Sequence, residues 1–282
     1  ILTPSGVHAQ CVAEIVAFGK PIVVEKPIAL QLEQADEILR ACDAHGVRIF
    51  VVHQNRYNSP IIKAREALEQ GRLGKLVMGT VRLRWSRDQK YYDSEHWRGT
   101  WAYDGGGFTN QASHHIDMLT WFMGGVESVT AVGATRLANI ECEDTGAAII
   151  KFANGSLGII EATTATRPKD LEGSFSVLGE KGSIVIGGFF MNELTTWEFE
   201  EAAPGDETVF QEHGKNPEGW GYNLGEYLKD VIKSLEENQA GLVDGLEGRK
   251  SLELISAIYE SIETGREIPL RFQPRQCKLG IV

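Results

Sequence analysis

A lysine and a histidine in this 282-residue chain have the residue types and the settings that acid–base chemistry requires. Lys26 follows an apolar run in the segment PIVVEKP, and His114 lies in the segment GGGFTNQASHHID. Imidazole, with a reference pKa of about 6.5, accepts a proton at neutral pH, whereas a free lysine, at about 10.4, stays cationic. We therefore predict that His114 is a base and Lys26 an orienting cation, with the roles exchanged if Lys26 is strongly desolvated. The alternative is a solvated lysine at a strand end and a histidine that caps a helix.

The first 54 residues predict the elements that position Lys26. Apolar residues at helical spacing occupy residues 7–18 and 32–44, and short apolar runs occur in PIVVEKP and RIFVVHQ. This alternation predicts right-handed crossovers and a parallel sheet, the C-terminal half of a Rossmann-type α/β domain. Ligands of such sheets bind at the carboxyl ends of the strands. The polar segments predicted at those ends are residues 3–5, 25–27 and 53–57.

From residue 55 onward the pattern is that of an α+β domain with a large open, mainly antiparallel sheet. LVMGTVRLRW alternates, GAAIIKFANGSLGIIEATT is typical of two strands about an Asn-Gly turn, and SFSVLGEKGSIVIGG repeats the hairpin pattern. Helices are predicted over residues 60–70, 113–123, 222–237 and 246–264. We predict a partial dinucleotide-binding domain over residues 1–54 and a substrate-binding and oligomerisation domain over residues 55–282.

Composition and charge restrict the classes of partner. The net charge is −11, and Lys and Arg form no stripe, so neither nucleic acid nor a membrane is a predicted partner. Cys11, Cys42, Cys142 and Cys277 lack CxxC spacing, which argues against a structural zinc site and favours a reducing, cytoplasmic location. No apolar stretch approaches the roughly 20 residues of a membrane helix.

Three segments carry a resemblance to a known family. TPSGVH, EKP and GGGFTNQASHHID resemble, in the same order, motifs of the Gfo/Idh/MocA family of nicotinamide-dependent sugar oxidoreductases. QNRYN, YYDSEHWRGTWAYDGGGFTNQASHHID and KDLEGS resemble the branch that oxidises the 3-hydroxyl of UDP-N-acetylglucosaminuronic acid. The resemblance implies an oxidoreductase that transfers a hydride from a secondary alcohol to NAD, with NADP as the alternative cofactor. It also implies a cis peptide bond before Pro27.

The chain departs from the family pattern in two places. The family's Asp-x-Gly-x-His is here Asn110-x-Ala112-x-His114, so an amide replaces an acid. The opening strand with its GxGxxG loop and ribose-binding acid is not in these 282 residues, which on dinucleotide-fold proportions is a missing half of roughly 70–80 residues. We expect that the chain begins inside a domain, that it is inactive alone, and that the complete enzyme carries the function.

The resemblance also implies the site residues. Lys26, His114, Asn110 and Asp117 are implied for catalysis, with Asp117 either orienting the His114 imidazole or bracing its helix. Gly105–Gly107 is implied to bring the backbone close to the nicotinamide. The residues implied for the cofactor are Thr3, Pro4, Ser5, His8, Glu25, Lys26, Pro27, Gln54, Trp97 and Arg98. The candidates for binding the substrate, among which arginine and lysine supply the positive charge that the acidic chain lacks, are Lys26, Asn55, Arg56, Tyr57, Asn58, Asn110, Ser113, His114 and Lys169.

Several alternatives remain open at this point. A myo-inositol or free-sugar dehydrogenase of the family would share Lys26, His114 and Asp117, whereas a non-catalytic sugar-binding protein would lose Lys26 or His114. No metal is predicted, because the adjacent histidines project about 100° apart on a helix and no third ligand has suitable spacing. His115 is interpreted as a capping or partly buried residue. We expect a homodimer or homotetramer that forms through the open sheet.

Overall fold

The N-terminal part of the chain alternates helices and strands, as predicted. The computed structural model describes residues 1–217 and 221–270. Its first elements are α1 (His8–Ile15), β1 (Ile22–Val24), α2 (Leu32–Ala44) and β2 (Ile49–Val51). β1 and β2 are parallel, with Ile22 opposite Ile49. Because their side chains are largely buried, this short parallel pair depends on helices that cover it.

The carboxyl ends of these strands meet other loops at one edge of the sheet. The Gly6 amide donates a hydrogen bond to the Tyr103 carbonyl at 3.0 Å, which ties the loop before α1 to a distant loop. A Cβ atom at Gly6 would lie 2.0 Å from the Ala102 carbonyl oxygen, so only glycine allows this approach. The Lys26–Pro27 peptide bond is cis, as the resemblance implies.

The second part of the chain forms one eight-stranded sheet. Its order is β10-β4-β5-β6-β3-β7-β8-β9, and every neighbouring pair is antiparallel except β3 with β6. The β5–β6 connection contains Asn154 and Gly155, and Gly155 has a φ of +83°, which explains the glycine of the predicted Asn-Gly turn. The strands are β3 (Leu76–Arg84), β4 (Val126–Ala134), β5 (Thr145–Phe152), β6 (Leu157–Thr163), β7 (Glu172–Gly179), β8 (Gly182–Gly187), β9 (Glu193–Phe199) and β10 (Ile268–Pro269).

Helices pack on one face of this sheet. The helices of this part are α3 (Ser59–Glu69), α4 (Gln89–Asp93), α5 (Ser113–Met123), α6 (Val209–His213), α7 (Tyr222–Glu236) and α8 (Gly245–Thr264). Ile116 and Leu119 of α5 and Ile255 of α8 enter the main hydrophobic core with Ile160 and Phe175 of the sheet. The π-helical turn Gly107–Gln111 immediately precedes α5, so the core fixes the position of Asn110 and His114.

The opposite face of the sheet is exposed and partly apolar. Ile149 of β5 is 61% exposed and lies opposite Ile159 of β6, with Leu157 on the same face. Nearby, Arg84 donates to Glu161 at 2.5 and 2.8 Å, and Arg82 lies 3.9 Å from the same carboxylate. The two arginines of β3 therefore belong to a surface ion-pair network. This face is the surface for which self-association is predicted.

The two parts of the chain share helices at their junction. The N-terminal core contains Tyr227 and Val231 of α7 and Leu252 of α8. A Cβ atom at Gly248 would lie 2.3 Å from a Val51 methyl group, so α8 packs closely on β2. Cys11, Cys42 and Cys142 are free, and Cys277 lies outside the described residues. Within residues 1–217 and 221–270, no helix is long and apolar enough to cross a membrane.

Candidate active site

The structure brings Lys26 to Asn110, although 84 residues separate them in the chain. The Lys26 ammonium donates to the Asn110 carbonyl oxygen at 2.6 Å and to its side-chain Oδ1 at 3.1 Å. Burial lowers the pKa of Lys26, and the negative charges of Glu25 and Asp104 oppose that shift. The strand β1 therefore ends in charge because its lysine leaves the N-terminal core to meet the π-helical turn of the second domain.

Asp104 supports the other side of Asn110. The Asn110 Nδ2 donates to Asp104 Oδ1, and the Gly99 amide donates to Asp104 Oδ2 at 2.6 Å. Asp104 is 3% exposed, and burial raises its pKa. Sequence reasoning missed Asp104. Its place in YDGGG, immediately before the glycines, was the available signal.

His114 is held in a setting that keeps it neutral. Burial lowers its pKa well below the ordinary value, and the nearby charge of Lys26 lowers it further. Its Nδ1 is buried and has no hydrogen-bond partner among the described residues. The His53 ring lies edge-on to it with ring centroids 5.7 Å apart, and burial lowers the pKa of His53 to about 4. A neutral imidazole beside a lysine can accept a proton.

Of the two roles predicted for Asp117, its contacts favour bracing of the helix over orientation of His114. Asp117 accepts hydrogen bonds from Arg56 Nε at 2.8 Å and Nη2 at 2.7 Å, and both side chains are 1% exposed. Burial alone would raise the pKa of Asp117, but the Arg56 charge holds it below its usual range. No hydrogen bond joins Asp117 to His114 among the described residues. Asp117 therefore braces α5 against Arg56.

The same ion pair corrects the prediction that Arg56 holds an anionic group of the substrate. Its remaining nitrogen, Nη1, donates to Glu247 Oε2 at 3.1 Å and to the Leu242 carbonyl at 3.2 Å. Its guanidinium also lies 4.8 Å from the centroid of the Trp121 ring. Four of the five N–H groups of this buried guanidinium are hydrogen-bonded to Asp117, Glu247 and Leu242, so Arg56 joins α5 to the start of α8.

Three other substrate candidates are also buried in the protein. The Tyr57 hydroxyl donates to Asp230 at 2.7 Å, and the Asn58 Nδ2 donates to the carbonyls of Phe190 and Met191. Ser113 is fully buried, with its Oγ 3.5 Å from the Asn110 carbonyl. These three residues anchor loops, contrary to the prediction. Asn55 differs, because its Oδ1 accepts from Asn223 while its buried Nδ2 has no partner among the described residues.

His8, a predicted cofactor residue, is an internal link. It is fully buried, and its ring nitrogens lie 2.9 Å from the Pro27 carbonyl oxygen and 3.0 Å from the Thr3 carbonyl oxygen. His8 thus joins the loop after residue 2 to the turn after Lys26, and this burial corrects the prediction of direct contact with a cofactor. Thr3 itself is exposed, and Pro4, Ser5 and Glu25 are half-buried at the same edge, whereas Pro27 is buried.

Trp97 and Arg98 belong to an aromatic cluster beside Asn110. The Arg98 guanidinium lies 4.7 Å from the Trp97 ring centroid and donates to the Tyr91 hydroxyl at 2.6 Å. The Gln111 amide donates to the same hydroxyl at 3.0 Å. Tyr91 also lines a cleft of about 580 Å³ whose other lining residues are Ser86, Arg87, Asp88, Arg167 and Pro168. Lys169 is exposed and follows the lining residue Pro168 in the chain.

A buried glutamate explains the glycines before α5. Glu143 Oε1 accepts from the Phe108 amide at 2.8 Å and from the Tyr259 hydroxyl at 3.0 Å, whereas its Oε2 is buried without a partner among the described residues. A Cβ atom at Gly106 would lie 1.8 Å from that Oε2, so the carboxyl group requires glycine there. Burial raises the pKa of Glu143 to about 7. Sequence reasoning missed both Glu143 and its partner Tyr259.

The unpartnered polar atoms at this edge suit a nicotinamide cofactor and a polar substrate. Buried polar atoms without a partner among the described residues include Gln54 Oε1, Arg98 Nε and His114 Nδ1. All three belong to residues predicted to hold cofactor or substrate, and such atoms are expected where a ligand completes the hydrogen bonding. Within the described ranges, no group of three histidine, cysteine, aspartate or glutamate residues could hold a metal ion.

Solved structures similar to this chain include two dehydrogenases in complex with NADH and UDP-GlcNAcA. The WlbA dehydrogenase from Bordetella pertussis, in complex with NADH and UDP-GlcNAcA, has a TM-score of 0.92 and 42% identity, covering 96% of this chain and 78% of that chain. The WlbA dehydrogenase from Chromobacterium violaceum, with the same two ligands, has a TM-score of 0.89 and 42% identity, covering 96% and 77%.

Curated relatives are more distant in sequence. Levoglucosan dehydrogenase from Pseudarthrobacter phenanthrenivorans is 28% identical over 220 residues, which are 69% of this chain and 56% of the relative. Myo-inositol 2-dehydrogenase from Thermotoga maritima is 24% identical over 277 residues, covering 96% of this chain and 78% of the relative. The chain thus spans little more than half the length of the first of these relatives.

Family models match both parts of the chain. The NAD-binding Rossmann fold of the oxidoreductase family matches residues 1–53, and the family's C-terminal alpha/beta domain matches residues 65–270. The predicted fold, a partial Rossmann unit followed by an α+β domain with a mainly antiparallel sheet, is confirmed. The chain belongs to the Gfo/Idh/MocA family of oxidoreductases.

Proposed function

We propose that the complete enzyme oxidises the 3-hydroxyl of UDP-N-acetylglucosaminuronic acid with NAD as the hydride acceptor. The observation that carries this proposal is the meeting of Lys26 with Asn110 beside a neutral His114. The 42% identity to two dehydrogenases solved with NADH and UDP-GlcNAcA supports the substrate class. The more distant similarity to inositol and levoglucosan dehydrogenases supports only the general reaction, alcohol oxidation.

The hydrogen bonds of Lys26 favour the ammonium form. An ammonium group has three donors, and Lys26 gives two of them to the oxygens of Asn110. We propose that the third donates to the substrate hydroxyl and that the positive charge stabilises the alkoxide as it develops. This assignment keeps Lys26 as the orienting cation, although burial lowers its pKa.

His114 then takes the hydroxyl proton. Its imidazole is neutral at physiological pH, because burial and the Lys26 charge both oppose a second proton on the ring. A bound nicotinamide ring would accept the hydride from the carbon that bears this hydroxyl. The residues proposed to hold the cofactor are Thr3, Pro4, Ser5, Glu25, Lys26, Gln54, Trp97 and Arg98.

The rest of the substrate is proposed to extend toward the cleft beyond Tyr91. Arg87, Asp88 and Arg167 line that cleft, and Arg87 pairs with Asp170 at 3.2 Å, so Arg167 and the exposed Lys169, two residues later in the chain, supply the local positive charge on a chain of net charge −11. Positive side chains are what a diphosphate or a uronate carboxylate requires. Asn55 remains a candidate for the N-acetyl group, because its Nδ2 has no partner among the described residues.

We also propose self-association through the open sheet. The exposed Ile149, Ile159 and Leu157 form an apolar patch beside the Arg84–Glu161 ion pair. Burying such a patch against a second copy removes it from water. We further propose a cytoplasmic location, consistent with the free thiols of Cys11, Cys42 and Cys142.

A substrate panel tests the proposed function. The complete enzyme would be assayed by NADH formation with UDP-N-acetylglucosaminuronic acid, UDP-N-acetylglucosamine, UDP-glucuronic acid, myo-inositol and glucose. We expect turnover with the first and at least tenfold lower kcat/KM with the other four. Preference for myo-inositol or glucose would instead assign a free-polyol dehydrogenase. Tight binding of a sugar without turnover would assign a non-catalytic binding protein.

A further inference from the structure

The buried Asp104 carboxylate accepts a hydrogen bond from the side-chain amide of Asn110. We infer that Asp104 is a positioning residue that sets the orientation of the Asn110 side chain. It thereby directs the Asn110 Oδ1, which accepts a hydrogen bond from Lys26, toward the ammonium group. The inference deepens the proposed function and rests on it for the role of Lys26. Three observations carry it: Asp104 is 3% exposed, its two oxygens each accept one hydrogen bond, and Asn110 lies directly between it and Lys26.

The orientation of the Asn110 amide is fixed by which neighbouring atoms donate hydrogen bonds and which accept them. An ionised carboxylate only accepts hydrogen bonds, so Asn110 must turn its Nδ2 toward Asp104. The amide oxygen then faces away from Asp104, at 3.1 Å from the Lys26 ammonium. In the reverse orientation, the Asn110 oxygen would face a carboxylate and its NH₂ group would face a cation. Both contacts would be repulsive, so Asp104 selects the orientation that holds Lys26.

Asp104 also places a negative charge near Lys26. Its charge raises the pKa of Lys26, as does that of Glu25, against the effect of burial. The other titratable groups that interact with Lys26 are His53 and His114, and those that interact with Asp104 are Arg98, Tyr92 and Cys142. Asp104 thus raises the pKa of Lys26 by its charge and positions the lysine through the hydrogen bonds of the Asn110 amide.

The substitution Asp104→Asn is the direct test. An asparagine side chain that keeps its oxygen on the Gly99 amide must direct its NH₂ group at the Asn110 Nδ2. Asn110 would then flip and present its NH₂ group to Lys26. Because a small displacement of a catalytic group costs about 100-fold in rate, we expect kcat to fall by about that factor with little change in KM. Loss of the charge should also move the alkaline limb of the kcat profile to lower pH.

A second variant exchanges the acid and the amide. In Asp104→Asn/Asn110→Asp, the amide at position 104 donates to a carboxylate at position 110, which again presents an oxygen to Lys26. We expect kcat of this double variant to be at least tenfold higher than kcat of Asp104→Asn. The alkaline limb of its pH profile should return toward that of the wild type. Failure of the exchange to recover either quantity, with both proteins folded, would overturn the inference.

Asp144→Asn serves as a matched control. Asp144 is also a buried carboxylate, 1% exposed, and it accepts hydrogen bonds from the amides of Arg136, Leu137 and Ala138. It makes no hydrogen bond to Lys26 or Asn110 among the described residues. We expect a lower thermal midpoint with an unchanged pH profile. If Asp104→Asn behaves in the same way, Asp104 has only a structural role and the inference is wrong.

A measurement that needs no turnover separates this inference from the proposed function. The pKa of Lys26 would be determined by NMR of ¹³C-methylated lysines in the complete enzyme, with Lys26→Arg used to assign the signal. We expect a lower pKa in Asp104→Asn and a recovered one in the double variant, whichever sugar is the substrate. An unchanged Lys26 pKa would contradict the inference and leave the proposed function standing. Absence of turnover on every sugar would contradict the proposed function alone.

Discussion

The Lys26 ammonium lies 2.6 Å from the carbonyl oxygen of Asn110 and 3.1 Å from its amide oxygen, so a strand end of one domain is bound to the π-helical turn of the other. This contact places the cation next to His114, since Asn110 precedes that histidine by four residues. Neither residue could form the site on its own domain. The relative position of the two domains is therefore a condition for the proposed reaction.

Removing the Lys26 ammonium or the His114 imidazole should affect the chemical step more than it affects binding of the nucleotide sugar. We expect Lys26→Ala and His114→Ala in the complete enzyme each to lower kcat by a factor of about 10²–10⁴, with smaller changes in the Kd of the nucleotide sugar. Lys26→Arg should not rescue, because a planar guanidinium does not replace a compact ammonium. Lys63→Ala, at a surface lysine of α3, is the control. Steady-state kinetics and calorimetry measure both quantities, and a near-normal kcat in Lys26→Ala would refute the assigned role.

The Arg56–Asp117 pair should act on stability. Asp117→Ala leaves a buried guanidinium without its two strongest acceptors, and breaking a buried pair in this way costs about 3–5 kcal/mol. Urea unfolding followed by circular dichroism measures this free energy of unfolding. Glu69→Ala breaks the exposed Arg65–Glu69 pair of α3 and should cost only about 0.5 kcal/mol. Equal losses for the two variants would show that burial of the Arg56 pair is unimportant.

Glu143 should make stability depend on pH near neutrality. Its pKa is raised to about 7 in the folded protein from an ordinary 4.5, so the folded state holds a proton that the unfolded chain has lost between those values. The stabilisation that protonation gives is complete below about pH 4.5 and is lost as the pH rises through 7. A shift of this size corresponds to a difference on the order of 3 kcal/mol.

The neutral isostere Glu143→Gln should remove that dependence. We expect the free energy of unfolding of the variant, minus that of the wild type, to increase from pH 5 to pH 8. Taking the difference cancels the opposite contribution of the buried histidines, whose lowered pKa values favour the folded state as the pH rises. Glu141→Gln, at an exposed carboxylate two residues earlier, controls for the loss of one charge. A difference that stays constant across this range would show that Glu143 is ionised throughout.

Self-association should depend on the apolar patch of the open sheet. Ile149→Lys introduces a charge opposite Ile159 at the centre of the exposed face, and burying an unpaired ammonium is unfavourable. We expect sedimentation velocity at micromolar concentration to show an oligomer for the wild type and a monomer for the variant. Ile62→Lys, a change at an exposed isoleucine of α3, should leave the oligomer intact. A monomeric wild type would contradict the proposed assembly directly.

The elements that depend on local pattern were predictable from the amino-acid sequence. Helices α2 and α5 begin and end at the predicted residues, and the parallel β1–β2 pair follows from the helix–strand alternation. Helical period and turn chemistry act over a few residues, so one sequence suffices to detect them. The motifs with Lys26 and His114 likewise identified the family before any contact was visible.

Contacts between distant segments decided the rest. Arg56 has the residue type for binding a substrate anion, but Asp117 and Glu247, 61 and 191 residues away, occupy its guanidinium. Asp104 and Glu143 looked like ordinary acids until folding buried them beside Asn110 and Gly106. Sequence alone determined which side chains can hold charge and donate hydrogen bonds. The tertiary structure decided which of them already have partners, because burial and pairing depend on segments that are far apart in the chain and meet only when it folds.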